Sequence, residues 1–407
     1  MNVDELVRDA LREQAAEQHP APAGFADRVL AVRRRRRTRR IAVAAVATAA
    51  VVAVGVAVPL LDSGKTDVRP SDVVDQKKTK AHPDQSPPRD PISAGGTTLA
   101  AYYSSRTVKK TKTTAVSERT FYLLNPKSGK YEKSPKWSWV AVAPGSATAA
   151  VLERDLPASR IGLLDLASGE VKRWVQVDHG VGGLAFSRDG RKFVATTYSE
   201  NPDLQPIPKK LKGGGEVTEG GTSSHRTGFY VVDVASGKAQ WSQVDTGGGP
   251  GSLDMINSRQ DFALTDDGRH VWAGNPSGEI GKEFWDLTGR KVSAPAGYKY
   301  LEWFVDAGKS PNGKLVAGDF AGEGWKTASW IVDAYTGKKT KVRGQQLLAW
   351  VGNDRLIAWD IDKDVKNEFH NRLVLVTIGS NKEVPLSGFR QGNDGDAGRW
   401  EPVFAQP

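Results

Sequence analysis

Apolar and polar positions divide this chain into four stretches with different periods. In residues 1–40, Val3, Leu6, Val7, Ala10, Leu11 and Ala15 keep the i, i+3, i+4, i+7 spacing of an amphipathic helix. Pro20 and Pro22 break that pattern. Phe25, Val29 and Val32 begin a second one that leads into Arg33, Arg34, Arg35, Arg36, Arg37, Arg39 and Arg40. Residues 41–61 then carry no charge. A helix of that length spans about 30 Å, the hydrocarbon thickness of a bilayer. Residues 62–95 show no period, with Pro70, Pro83, Pro87, Pro88 and Pro91 standing among alternating charges. Few large apolar side chains and many prolines predict an extended or disordered spacer.

From residue 96 to 407 the period shortens to that of strands, and the pattern repeats. One recurring piece is an apolar run closed by a turn: "FYLLNPKSGK" (121–130), "IGLLDLASGE" (161–170), "FYVVDVASGK" (229–238), "FWDLTGRKV" (284–292), "WIVDAYTGKK" (330–339) and, degenerate, "LVLVTIGSNK" (373–382). The other precedes it: "LAFSRDGRKFVAT" (184–196), "FALTDDGRHVWAG" (262–274) and "DAGKSPNGKLVAG" (306–318), with weaker copies at 140–152 and 349–359. Asp-Gly and Asn-Gly supply the positive φ of a tight hairpin between two apolar runs. Asp165, Asp233 and Asp333 are placed to accept bonds from backbone amides at the turn that follows. The second piece therefore predicts the two middle strands of a four-stranded sheet, and the first its outer hairpin. Turn glycines fall at Gly129, Gly169, Gly237, Gly289, Gly337 and Gly379, at intervals of 40, 68, 52, 48 and 42 residues. These centre on the repeat of a propeller blade.

These runs, with Trp285-Asp286 where a WD dipeptide would stand, resemble the repeats of WD40-type and bacterial YVTN/TolB-like β-propellers. The Gly-His dipeptide of WD40 repeats does not occur. The resemblance implies an all-β propeller over 96–407, with six blades and a seventh, degenerate one as the alternative. The segment "RWEPVF" (399–404) is expected to return to the first blade and close the ring. Trp174, Trp241, Trp272, Trp330, Trp350 and Trp359 are expected between blades or at the rim.

Charge changes the picture at the N-terminus only. Residues 1–40 hold ten Lys/Arg against six Asp/Glu, +4 of the net +10, and the other +6 is spread over residues 96–407. The rest is too thinly basic for a nucleic-acid footprint. The arginines before 41–61 and Asp62 after it instead predict a single-pass membrane protein, N-terminus in the cytoplasm and the propeller outside. The lipid bilayer is then the first partner. A cleaved signal peptide is the alternative, but its charged leader and apolar run would both be too long. Residues 1–32 predict a helix lying on anionic lipid or a dock for a cytoplasmic partner.

The chain has no cysteine, which excludes disulfides, thiol catalysis and cysteine-ligated metals. No two of its six histidines have the i, i+4 spacing of a helical metal site, and no cofactor is expected. Asp360, Asp362 and Asp364 have the spacing of a calcium loop, but Val365 stands where that loop needs glycine. A weak Ca²⁺ site is the sharper expectation there and a solvated acidic hairpin the plainer one; 392–398 is similarly acidic. Asp-Thr-Gly at 245–247 occurs once, whereas aspartic-protease chemistry needs two such carboxylates. The insertion 199–228 predicts either a disordered loop or a lid. Residues 104–119 predict a basic, protruding hairpin. Together these readings favour a non-catalytic module that binds an extracytoplasmic ligand or protein. An anti-sigma-like signalling protein and a propeller-type hydrolase or lyase are the rivals.

Overall fold

The computed structural model describes residues 79–407 apart from 208, 211–215, 218–224, 245–258, 275–280, 323–326, 366, 393–395, 397–398 and 407. The tail expected to be helical, its arginines, the apolar run 41–61 and the Asp-Thr-Gly tripeptide lie outside the described residues. Among those described, all regular secondary structure is strand and every strand pairing is antiparallel. No helix among them is long and apolar enough to cross a membrane.

The first sheet is built on β1 (Thr79–Lys80), β2 (Ser93–Ala94), β3 (Thr97–Lys109), β4 (Thr114–Asn125) and β5 (Lys130–Ser134). The next comprises β6 (Trp137–Val142), β7 (Thr148–Glu153), β8 (Ala158–Asp165) and the first half of β9 (Glu170–Phe186). β9 is long enough to be the outer strand of one unit and, from Val181 onward, the inner strand of the following one. That unit continues through β10 (Lys192–Tyr198). The insertion follows as β11 (Leu204–Pro206), β12 (Lys209–Lys210) and β13 (Glu216–Val217), before β14 (Arg226–Asp233) and β15 (Ala239–Gln243) complete the unit. A four-stranded sheet comes next, of β16 (Ala263–Leu264), β17 (His270–Gly274), β18 (Lys282–Asp286) and β19 (Lys291–Val292). In the sheet of β20 (Leu315–Phe320), β21 (Ser329–Asp333) and β22 (Lys339–Val342), a bridge from Lys309 to Val316 marks the inner position. The last sheet is β23 (Gln346–Val351), β24 (Arg355–Ile361), β25 (Asn371–Thr377) and β26 (Glu383–Pro385). The C-terminal strand β27 (Trp400–Ala405) does not join it. It pairs with β3, from Trp400 opposite Ser104 to Ala405 opposite Thr98, and completes the first unit at its inner edge.

Burial follows strand position. Middle strands such as β24 are buried along nearly their whole length, because both faces meet a neighbouring sheet, while outer strands such as β5 and β22 are mostly exposed. The apolar cores lie between successive sheets. Phe229 and Val194 meet Phe262, Val271 and Trp285, and Ile331 and Ala317 meet Trp350 and Leu356. One cluster joins the last sheet to the first: Trp359, Leu373 and Leu375 pack with Leu99, Tyr102 and Trp400. The sheets therefore pack in a closed circle, the arrangement of a β-propeller.

The hairpins carry a side-chain device beyond their glycines. Ser187 Oγ accepts from the Lys192 amide (3.0 Å) and Thr265 Oγ1 from the His270 amide (3.1 Å). Ser310 Oγ likewise accepts from the Leu315 amide (3.0 Å). Each hydroxyl spans the turn it precedes, so the repeated motif is Ser/Thr-x-Asp/Asn-Gly. In the other turn, Asp165 Oδ1 accepts from Ala167 (2.9 Å) and Ser168 (2.7 Å), and Asp333 Oδ1 from Tyr335 and Thr336. Bonds from those amides hold both carboxyls below their ordinary range.

One expectation is corrected. The spacer was expected to extend to residue 95, yet Ile92 and Ala94 are fully buried and β2 pairs with β3. The indole N–H of Trp400 donates to Ser86 Oγ at 3.0 Å. Proline and charge mark the composition of 79–95, but burial of Ile92 and Ala94 and backbone bonds from His82 to Leu386 and from Gly388 to Gln85 dock it.

Candidate binding channel

Where the inner edges of the sheets face each other they enclose a cavity of about 560 Å³. Its wall is formed by β6, the second half of β9, β16, residues 306–309, β23 and β27. Aromatic side chains of Tyr103, Trp139, Phe186, Trp272 and Phe404 contribute to that wall.

Charged groups gather towards the two ends of the lining strands. At the C-terminal ends, Arg188 and Lys309 share the Asp266 carboxylate at 3.1 and 3.5 Å. Arg188 also donates to the Lys309 carbonyl (2.8 Å), and the Lys309 ammonium lies 4.2 Å above the Tyr298 ring. Towards the N-terminal ends, Glu401 is met by Arg390 at 2.7 Å and Arg399 at 3.8 Å. Asp306 has a different environment. Gln346 Nε2 donates to its Oδ2 at 3.1 Å. Asp306 is exposed, and the space it faces is the channel whose wall it lines. Loss of bulk water and then the like charge of Glu401 push its carboxyl up to about 6, against the bond from Gln346.

Beside this end the insertion is pinned down. Asp203, 6% exposed, receives a bidentate bond from Arg119 (2.6 and 2.9 Å) and lies 2.8 Å from Arg259. Arg259 also pairs with Asp261 at 2.9 Å, and the Tyr198 hydroxyl donates to Asp261 at 2.8 Å. Both guanidinium groups lie over Trp139, at 3.7 Å for Arg259 and 4.8 Å for Arg119. Burial alone would raise the Asp203 carboxyl, but Arg259 and Arg119 outweigh it and hold it below its ordinary range. Leu204, Gln205 and Pro206 pair with Val116, Ala115 and Thr114. The described start of the insertion is thus an added strand on the first sheet.

The residues singled out from the sequence fall elsewhere. Gly129, Gly169, Gly237, Gly289, Gly337 and Gly379 sit at outer turns, with φ from 62° at Gly129 to 86° at Gly289. Asp360, Asp362 and Asp364 do not converge. Asp360 is buried on Arg343 (3.0 Å) and accepts from Thr327, Asp362 faces His370 (3.2 Å), and the Asp364 amide donates to Asp362 (2.9 Å). Among the described residues no three His, Cys, Asp or Glu side chains group as metal ligands. Of the tryptophans, Trp350 and Trp359 are fully buried, Trp272 lines the channel and Trp241 stacks on His179 at 3.7 Å. Asp306, Glu401 and the Arg119–Asp203–Arg259 group escaped the sequence reading. A signal for one of them existed: Asp261 and Asp306 both stand seven residues before a hairpin glycine, Gly268 and Gly313, where Gly183 stands before Gly190.

Fold and channel together define a β-propeller built from degenerate repeats. No family model matches the chain, and no curated protein matches it. Solved structures do. TolB from Acinetobacter baumannii aligns over 77% of this chain and 67% of its own at 13% identity, TM-score 0.41. The β-propeller domain of the trilobed protease from Pyrococcus furiosus aligns over 70% and 82% at 13% identity, TM-score 0.38. The Cps50 (Swd1) β-propeller domain of Myceliophteria thermophila aligns over 71% and 97% at 12% identity, TM-score 0.30. At this level the fold is read from the chain's own sheet order and closure.

Proposed function

We propose that this chain is a membrane-anchored, six-bladed β-propeller displayed outside the cytoplasm as a non-catalytic binding or sensing module, with the central channel as its ligand site. The circle of inter-sheet cores, closed by β27 on β3, supports six blades. The uncharged run 41–61 behind its arginines supports the anchor. The single observation that carries the ligand site is Asp306. The fold keeps a carboxylate in the channel where its charge is disfavoured, and such groups gather at functional sites. The wall around it mixes aromatic side chains such as Tyr103, Trp139 and Phe404 with a few polar groups, a combination that small-molecule sites use.

The test is a thermal-shift screen of the full-length chain in detergent against small metabolites of mixed charge. It is repeated with Ala263→Trp, which fills the channel from β16. Hits that disappear in the filled variant, while its unliganded melting temperature stays near that of the parent, support the channel. Hits that persist place binding elsewhere and overturn this part of the reading.

A further inference from the structure

The pairing of β11 with β4 brings together two basic segments that lie about a hundred residues apart in the chain. One is the tip of the β3–β4 hairpin, with Arg106, Lys109, Lys110 and Lys112. The other follows β11 directly: the Ile207 amide donates to the Thr113 carbonyl at 2.7 Å, and Lys209 and Lys210 come next in the chain. The chain therefore passes beside the hairpin tip at Ile207 and carries Lys209 and Lys210 onward from there into the β12–β13 pair. The tip is ordered, because Thr111 Oγ1 accepts from the amides of Thr113 (3.2 Å) and Thr114 (3.0 Å). It is also open to solvent: the side chains of Arg106 and Lys110 are 68% and 48% exposed, and Lys109 and Lys112 are exposed as well.

Negative charge at the hairpin tip is scarce, while beside it Glu216 stands opposite Lys210 in the β12–β13 pair. Glu118 alone answers Arg106 (3.0 Å), Lys110 (2.9 Å) and Arg154 (3.0 Å). Among the described residues no carboxylate lies within ion-pair distance of Lys109 or Lys112. We infer that this tip is a docking surface for a linear polyanion, a soluble or wall-bound polymer carrying phosphate groups. A lipid surface has the same headgroup chemistry and is the alternative that the experiment must exclude. The chain arrives at β1 and β2, which pair at the Thr97 end of β3, whereas the basic tip lies at the Lys109 end. Thirteen residues of strand separate the two ends by roughly 40 Å, so the tip lies far from the point where the chain enters the first sheet, and a polymer free to reach it is the occupant we take. That choice rests on the anchored topology proposed above, while the binding does not. Loss of binding would leave the anchor untouched, and a failed anchor would leave the binding intact.

The experiment uses the full-length chain in neutral phosphatidylcholine nanodiscs, with end-labelled inorganic polyphosphate as the probe and fluorescence anisotropy as the readout. Binding at low salt is expected to weaken steeply as salt screens the exposed lysines. The triple substitution Lys109→Gln, Lys110→Gln and Lys112→Gln is expected to weaken it about tenfold or more at low salt. Asp203→Ala, which unpins β11, is expected to weaken it too, although it raises the net charge; a melting curve checks that this variant folds. Three results would overturn the inference. The triple variant could bind like the parent, Asp203→Ala could bind more tightly (net charge alone then governs), or phosphatidylglycerol vesicles could displace the polymer, pointing to lipid.

Discussion

Trp400 stands in the contact that closes the ring, and Trp400→Ala is the perturbation that tests it. The residue is 3% exposed in the cluster that joins the last sheet to the first. Its ring meets Trp359 at 5.2 Å and Tyr102 at 5.8 Å, both edge-on, and its carbonyl accepts from Arg390 at 2.9 Å. Truncating a buried tryptophan to alanine costs about 3–5 kcal/mol through lost burial and the cavity left behind. The unmade bond to Ser86 adds about 1 kcal/mol, not strictly additive. An unfolding entropy of about 2.1 cal/mol/K per residue, over roughly 300 folded residues, converts 4–5 kcal/mol into a fall of about 6–8 °C in Tm. The assay is calorimetry of the full-length chain in detergent, with Tyr335→Ala as the control. Tyr335 is 63% exposed, and such a surface truncation changes stability by no more than about 0.5 kcal/mol. A fall for Trp400→Ala no larger than the control's would refute closure through β27.

Other outcomes follow from the same geometry. The Asp306 carboxyl sits at about 6, above its ordinary value, so between about pH 4 and pH 6 the folded state holds a proton that the unfolded chain releases. Stability contributed by that proton is therefore lost as pH rises through this window. Melting curves should show Asp306→Asn gaining on the parent between pH 4 and pH 7.5, and a pH-independent gap would count against the assignment. Gly289→Ala and Gly379→Ala separate conformation from crowding. Both glycines have positive φ (86° and 78°), but an added Cβ at Gly289 would lie 2.3 Å from the Gln243 carbonyl oxygen, while at Gly379 nothing lies within 4 Å. Urea denaturation should give about 1–2 kcal/mol for Gly379→Ala and clearly more for Gly289→Ala. Equal losses would mean that the contact between neighbouring sheets at Gly289 is not made.

Much of the architecture could be read in the chain because local rules dictate it. Hairpins needing positive φ demanded glycine at recurring positions along the chain, and alternating apolar runs between them demanded strands. The fate of "RWEPVF" followed from a first unit short of one strand, and β27 supplies it. The channel groups obey no local rule. Asp306 and Glu401 come together only because β27 and residues 306–309 belong to different sheets facing one space. The pairing of β11 with β4 spans three residues, too few for a period to show. The docking of 79–95 was obscured for a compositional reason: its prolines resemble those of a spacer, and the burial of Ile92 and Ala94 depends on Trp359 and Leu373, which are distant in sequence.

The central claim, a propeller carried outside the cytoplasm on an N-terminal anchor, can be tested directly because the chain has no cysteine. A single cysteine is introduced on the exposed outer strand β5 as Lys133→Cys, and in a second variant in the tail as Gln18→Cys. Intact cells expressing each variant are treated with a membrane-impermeant maleimide, before and after permeabilisation. The account predicts that Lys133→Cys is labelled on intact cells and that Gln18→Cys is labelled only after permeabilisation. Protection of Lys133→Cys until the cells are opened would contradict it.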